Sequence, residues 1–569
     1  MYTQCMASLQ KVRVQGRTYW RIVESRRING KPRAIPILHL GTADALLNRL
    51  LASPEGSLTV QSFQHGDVAA LKAVADRLEV VSIIDRHVGG RARAPSVGTT
   101  LLLAAINRAV RPCSKRGWAA WADTTSLSQL FPGLVLERLT SQYFWEQMDG
   151  IEVATLQAIE DELTGKVVTE LGIELDTLFY DTTNFFTYIA STNERSTLTQ
   201  RGHSKQKRHD LRLFNLALLV SRHAQIPLCA HVYEGNQVDV SRFPESLTRL
   251  RERLEALSLS IQDITLVYDK GNHSRHNQTL VDEAPFGYVA SLVPAHHPDL
   301  LAIPTERYQS LSDSALGAIP RLRLRREIWG RERTVLLFIS EQLRAGQRRG
   351  LQQHLNKRLA QLTDWQTQLA KPRSGARSLA SAQKRIDPLL SGQYLKQVLS
   401  IRYDPERQGA ERLHYHVNQD ALRHLENEVF GKRMLITERH DWSDEDILRA
   451  YRGQSHVESA FRQLKDDDHL AVRPQYHWTD QKVHVHTFIC LLGLLLARVL
   501  EFEARRQGYS HGLSALLELL ATLRLARVLR PAPTPGGRPQ CTWQMEQPDP
   551  QAWQLFCQLV PAQPPFVYT

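Results

Sequence analysis

Three carboxylates stand apart in this 569-residue chain: Asp181 closes the run LDTLFYD, Asp269 closes DITLVYD, and Glu458 lies inside SDEDILRAYRGQSHVESAFRQLK (443–465). A helix turning about 100° per residue brings Tyr451, Gln454, Arg462 and Lys465 within roughly 40° of Glu458. One face then carries a lone acid among a phenol, an amide and two cations. Ala450, Val457, Phe461 and Leu464 form an adjoining apolar stripe that pins the helix to a core. Three acids brought together repel and raise one another's pKa unless cations neutralise them. Hard oxygen ligands of this kind select Mg2+ or Mn2+, and two such ions about 4 Å apart clamp the attacking and leaving oxygens of an in-line phosphoryl displacement. Taken singly, each acid has a plainer role, as turn chemistry at a strand end or a solvent-facing helical residue. Their conjunction carries the weight.

The elements that must position these acids follow from periodicity. The stretch 443–465 reads as one helix, opened by the capping pair Ser443 and Asp446, with Gly453 its weak point. Apolar runs at 175–181, 211–220, 227–235, 263–269 and 286–292 read as strands, with a helix at 239–257. Together they predict a mixed sheet flanked by helices, in which both aspartates end strands. GKRMLITE (431–438) returns as a further strand after a 294–430 interruption. That interruption contains a hairpin about Trp329-Gly330, a polar helix over Gln342–Leu369 read as a solvated or nucleic-acid-facing strut, and a second alternating pair. N-terminally, Asn29-Gly30 between TYWRIV and AIPILHL predicts a basic hairpin, and 60–171 reads as helical. Within that helical stretch Arg111, Lys115 and Arg116 neighbour Trp118 and Trp121, a pattern that suits DNA-end recognition or, equally, buried tryptophans. The segments LLARVLEFEARR and LSALLELLATLRLARVL read as helices, and RPAPTPGGRPQ (530–540) as a mobile linker to a short tail.

Lys and Arg total 71 against 59 Asp and Glu, a formal charge of +12 and a pI near 9.4, which favours a polyanionic partner. The six cysteines, Cys5, Cys113, Cys229, Cys490, Cys541 and Cys557, show no CxxC pair, so a reducing cytoplasm is expected and a zinc finger is not. The histidine pairs His273/His276, His296/His297 and His484/His486 lack zinc-ligand company and read as structural. The N-terminus lacks a signal-peptide core, and the run Phe488 to Ala497 is shorter than the roughly 20 residues of a membrane span, so it reads as a buried helix and the protein as free of the membrane. No GxxxxGK[ST] loop is present, so NTP hydrolysis is not expected.

LFYDTTNFF around Asp181, GHSKQKRHDLR followed by PLCAHVYEGNQVD, VYDKGNHSRHN around Asp269, and YRGQSHVESAFRQLKDD around Glu458 together resemble bacterial insertion-sequence transposases of the DDE type. More narrowly, they resemble the group with a tyrosine-arginine-glutamate-lysine signature. The resemblance implies an α/β fold: a ribonuclease H-like mixed-sheet catalytic core with a large α+β insertion, preceded by a β-hairpin and a helical domain. The expected division is a hairpin region (1–58), a helical DNA-end-binding domain (59–172), a first segment of the catalytic core (173–293), the insertion (294–430), a second segment of the core (431–505) and a C-terminal region (506–569). It implies that Asp181, Asp269 and Glu458 are catalytic and hold two Mg2+ or Mn2+. The reaction it implies is cleavage at the ends of a mobile element in double-stranded DNA, then transfer of the freed 3′-hydroxyl to target DNA, with a homodimer pairing the ends. Tyr451 and Lys465 match the signature's phosphate contacts, but Gln454 stands where its arginine belongs, and Arg462, one turn beyond Glu458, is the expected substitute. Lys205, Lys207 and Arg208, beside the first core strand, are further expected phosphate contacts. Two other activities fit the same residues: a silent transposase-derived DNA-binding protein, and a metal-dependent nuclease without strand transfer.

Overall fold

A computed structural model describes residues 7–28, 31–45, 47, 59–89, 95–204, 208–256, 261–310, 316–371, 378–530 and 539–561. The Asn29-Gly30 turn, Lys205, Lys207 and most of the expected linker lie outside the described residues.

Nine strands form the central sheet: β1 (Thr177–Thr187), β2 (Arg212–Ser221), β3 (Pro227–Glu234), β4 (Thr265–Tyr268), β5 (Gly287–Ser291), β6 (Gln309–Ser310), β7 (Pro320–Ile328), β8 (Arg331–Ile339) and β9 (Lys432–Thr437). Their spatial order is β6-β7-β8-β9-β5-β4-β1-β2-β3. The β1-β2-β3 meander is antiparallel, whereas β4 and β5 run parallel to β1. Parallel neighbours require crossovers, and helices α1 (Asp239–Ala256) and α2 (Arg275–Asp282) lie in the two connections that reach β4 and β5. The sequence of β2, RLFNLALLVS, is apolar on both faces, as a strand covered on both sides must be, and all but its first residue is buried.

Two features of the sheet differ from expectation. Asp181 does not end its strand: β1 continues through TTNFFT because that segment pairs with Arg212–Ala217 of β2. The hairpin β7–β8, expected inside the 294–430 interruption, extends the main sheet, since β8 pairs with β9 from Thr334↔Thr437 to Ile339↔Lys432. What remains of that stretch closes a second, smaller core. There Glu341–Leu369 buries Leu351, Leu355, Leu362, Trp365 and Leu369 at helical spacing against Leu379–Leu390 and the hairpin Leu399–Tyr403/Leu413–Val417.

Beyond the sheet, helices α3 (Asp444–Arg452), α4 (Ser455–Gln463) and α5 (Asp480–Arg506) follow β9. Helix α5 is long and apolar enough to cross a membrane, with a hydropathy of 1.9, but 94% of that stretch is buried inside the protein. Around it pack helices Gly66–Arg77, Val97–Val110 and Val153–Leu171, whose apolar residues share one continuous core with the sheet. Gly493 lets α5 pass close to Val97–Val110, because a side chain there would meet the Ala105 carbonyl oxygen at 2.8 Å. Trp118 and Trp121 are buried in this core, so their role is packing.

RLARVLR, expected to be helical, is a strand (Arg524–Arg530) at the centre of a three-stranded sheet with Thr59–Gln64 and Gln540–Met545. Pairing on both sides outweighs its helical propensity, and Pro531 immediately after it disfavours helix. The tail helix Pro550–Leu559 buries Ala552, Leu555, Phe556 and Leu559 on the core. At the other terminus, Ala7–Val14, Arg17–Ile28 and Lys31–Gly41 form an antiparallel sheet of their own, in which the expected hairpin is the second pair.

Candidate active site

The two aspartates are brought side by side. Tyr180 and Tyr268 are register partners on the parallel pair β1 and β4, so Asp181 and Asp269 occupy the next position on each strand, where the parallel pairing stops. Both are half-buried. Asp181 Oδ1 accepts the Thr182 N–H at 2.7 Å. Asp269 Oδ1 accepts from Ser291 Oγ at 2.5 Å and from the Tyr451 hydroxyl at 3.5 Å, while Ser291 Oγ itself accepts the Lys270 N–H at 2.9 Å.

The expected single helix over 443–465 is two. Ser443 caps α3 as expected, accepting the Asp446 N–H. Gly453 and Gln454 then form a turn before α4, because the Phe179 ring occupies the space beside Gly453, where a Cβ would meet Phe179 Cζ at 2.2 Å. The break also divides the face that one helix would have presented. Tyr451 turns inward, buried, towards Asp269, and Gln454 is buried in the turn, whereas Glu458 and Arg462 are exposed.

Helix α4 nevertheless lies along β1 on the face that bears Asp181. Residues 179, 181, 183 and 185 alternate onto one face of the strand. Phe179 packs edge-on against His456, with ring centroids 5.1 Å apart, and Thr183 Oγ1 accepts from Lys465 Nζ at 2.5 Å. Four strand residues span about 13 Å and nine helical residues about 14 Å, so the two contacts bracket Asp181 on the strand and Glu458 on the helix. Lys465 also sits 5.5 Å over the Phe185 ring. Arg498 of α5 holds the far side of α4, donating to Ser459 Oγ at 3.3 Å and pairing with buried Glu501.

Arg433 is a cation that sequence reasoning missed. From β9 its Nη1 donates to the Tyr451 hydroxyl at 2.5 Å, and its guanidinium lies 5.7 Å over that ring. The Tyr451 phenol therefore links Arg433 to Asp269. Burial, and then the Asp269 charge, push the phenol's pKa upward, with Arg433 opposing. The only signal in the sequence was the pair Lys432-Arg433 opening an otherwise apolar strand. The other expected phosphate contacts are dispersed. Arg462 lines a flanking cleft of about 300 Å³ with Asp466, Arg498 and Glu501. Arg208 is exposed and forked onto Asp210 at 2.7 and 2.8 Å, which holds the Asp210 carboxyl down at about 2.

The histidines take structural partners where the structure shows them. His273 bonds Ser291 O and Gln278 Oε1, and His486 bonds Val472 O. As for a metal, the carboxylates of Asp181 and Asp269 are hard donors on adjacent strands, the right chemistry for a divalent cation. Glu458 is not gathered with them: among the described residues no three His, Cys, Asp or Glu side chains form a metal-holding group. Like-charge repulsion among bare acids favours this separation.

No protein-family model matches the chain, and no curated protein matches it. Among solved structures, similarity is found to a cryo-EM structure of the piggyBac transposase synaptic complex with hairpin DNA, at TM-score 0.36 and 8% identity, covering 80% of this chain and 79% of that one.

Proposed function

We propose that this chain is a DDE-type DNA transposase with a ribonuclease H-like core, which cleaves the ends of its element and joins the freed 3′-hydroxyl to target DNA. The observation that carries the reading is the placement of Asp181 and Asp269 side by side on parallel strands beneath the face crossed by the Glu458 helix. The basic excess of the chain suits the polyanionic substrate.

Two Mg2+ or Mn2+ held by Asp181, Asp269 and Glu458 would supply the clamp on attacking and leaving oxygens. The chain's own groups prepare that site. Ser291 and Tyr451 fix the Asp269 carboxylate, Arg433 holds the Tyr451 hydroxyl, and Lys465, anchored on Thr183, offers its charge to a phosphate passing over β1. A symmetric pair of subunits would bring two element ends together.

The test uses the DNA flanking the coding region, with its inverted repeats as substrate. Labelled 3′-hydroxyl end DNA should become joined to a target plasmid in the presence of Mg2+. Cleavage without joining assigns the protein as a nuclease instead, and binding without cleavage under any divalent metal assigns it as a silent DNA-binding relative.

A further inference from the structure

The sheet formed by Ala7–Val14, Arg17–Ile28 and Lys31–Gly41 packs into neither hydrophobic core: among the described residues, no side chain of its three strands belongs to one. A sheet this small is stable in water only when an apolar face is covered. Register partners in antiparallel strands point to the same side, so the pairings sort the side chains onto two faces. One face carries Gln10 with Arg21 and His39, Ser8 with Val23 and Pro36, and Val14 with Arg17. Val23 is 3% exposed, so that face is covered by the protein's own chain. The other face carries Leu9, Ile22 and Leu38 in one row, a residue from each strand. It is open: Leu9 is 56% and Leu38 51% exposed, and Ile22 is half-buried between them. An apolar row that crosses a whole sheet and is left in water marks an interaction surface.

Charge on the open face is ordered along the strands. On one side of the row lies Glu24, beside Ile35; on the other side lie Lys11 and Trp20, then Arg13 and Thr18. A twofold axis parallel to the row exchanges these two sides. Two copies related by it lay their apolar rows on each other and set Glu24 of each opposite the partner's Trp20 and Lys11, the self-complementarity that an isologous contact requires. Stacked sheets lie about 10 Å apart, a gap that opposed glutamate and lysine side chains bridge. An axis along the strands would instead set Glu24 against its own copy. Arg33 follows Glu24 on the third strand, and the partner's Arg13, on the first strand, lands two strand spacings or about 10 Å to the side of it, where salt screens the repulsion. Nucleic acid would be met by cations and not by a leucine row, and Arg17 and Arg21 lie on the covered face.

We infer that the open face seats a second copy of this chain, the two N-terminal sheets stacking about a twofold axis parallel to the Leu9–Ile22–Leu38 row. This goes beyond the proposed activity, which calls for a pair of subunits without saying what joins them. Because the contact forms without DNA, its failure would leave the cleavage reading standing.

Full-length protein free of DNA is passed over a gel-filtration column with light-scattering detection across a dilution series. The wild type should run at twice 64.8 kDa. Leu9→Glu and Leu38→Glu should each weaken the dimer at least about tenfold. Val14→Glu is the control: Val14 is 52% exposed but lies on the opposite face, and its variant should dimerise as the wild type does. Lys11→Glu and Glu24→Lys should each weaken association at least about tenfold by setting like charges opposite each other, and the two changes together should restore most of the loss. That rescue is a gain, so it cannot arise from misfolding. A wild type that stays monomeric, or a dimer untouched by both leucine changes, overturns the inference, and absence of rescue in the charge exchange overturns the twofold arrangement. Loss of duplex DNA binding in Leu9→Glu with the mass unchanged would also overturn it, by assigning the face to nucleic acid.

Discussion

Gly453→Ala isolates the contact that breaks the Glu458 helix and seats it on β1. Gly453 has φ −61° and ψ −13°, a conformation alanine adopts freely, so on propensity alone the change stabilises by about 1 kcal/mol. The new methyl, however, would sit 2.2 Å from Phe179 Cζ and 2.6 Å from Cε1. Phe179 is fully buried and cannot swing into solvent. Overpacking of this kind costs about 1–3 kcal/mol, and the 2.2 Å contact with a ring that cannot move lies towards the upper end, so the clash offsets the propensity gain and leaves the variant destabilised by up to about 2 kcal/mol. Phe179→Leu made together with Gly453→Ala should recover part of that loss, a coupling that a double-mutant cycle reads directly. Gly350→Ala is the control: no atom lies within 4 Å of its added Cβ, and it should gain about 0.5–1 kcal/mol. Urea midpoints of the wild type, Gly453→Ala, Phe179→Leu, the double variant and Gly350→Ala, read by tryptophan fluorescence, make the comparison. If Gly453→Ala is as stabilising as Gly350→Ala, the account of the helix break and of the seating of α4 on β1 is refuted.

Tyr451→Phe removes the hydroxyl between Arg433 and Asp269. A hydrogen bond to a charged group is worth about 1.5–3 kcal/mol, so divalent-dependent DNA cleavage should slow at least about tenfold with duplex binding retained, and Arg433→Gln should act in the same direction; unchanged rates in both would show that the link is idle. Asp67, buried in the first turn of the Gly66–Arg77 helix, has its carboxyl raised by burial to about 6. Because the folded pKa exceeds the unfolded value, that group's contribution is present below about pH 4 and is lost as pH rises to about 6. Asp67→Asn should therefore be more stable than wild type at pH 7, by up to about 3 kcal/mol, and equal to it near pH 4; matching melting curves at pH 7 would contradict this.

Much of the sheet was legible in the sequence because strands such as LRLFNLALLV and FGYVASL are apolar runs with few other uses. Both aspartates were found from those runs, since each follows a tyrosine at the point where the pairing of β1 and β4 ends. The continuation of β1 beyond Asp181 was not legible: TTNFFT looks like a turn until β2 supplies its partners. Gly453 announced a weakness in the Glu458 helix, but the cause of the break is Phe179, far away in the chain. The role of Arg433 is likewise tertiary, as the residue meets Tyr451 only once β9 and α3 pack together. The tryptophans that drew attention by sequence, Trp118 and Trp121, proved to be core.

The most direct measurement is the cleavage of duplex DNA carrying the element's flanking repeats, with Mg2+ or Mn2+ and with neither, by the wild type, Asp181→Asn, Asp269→Asn and Glu458→Gln. The account predicts nicking by the wild type only when a divalent ion is present, and its loss in all three variants while each still binds the duplex. Full cleavage by Glu458→Gln would contradict it.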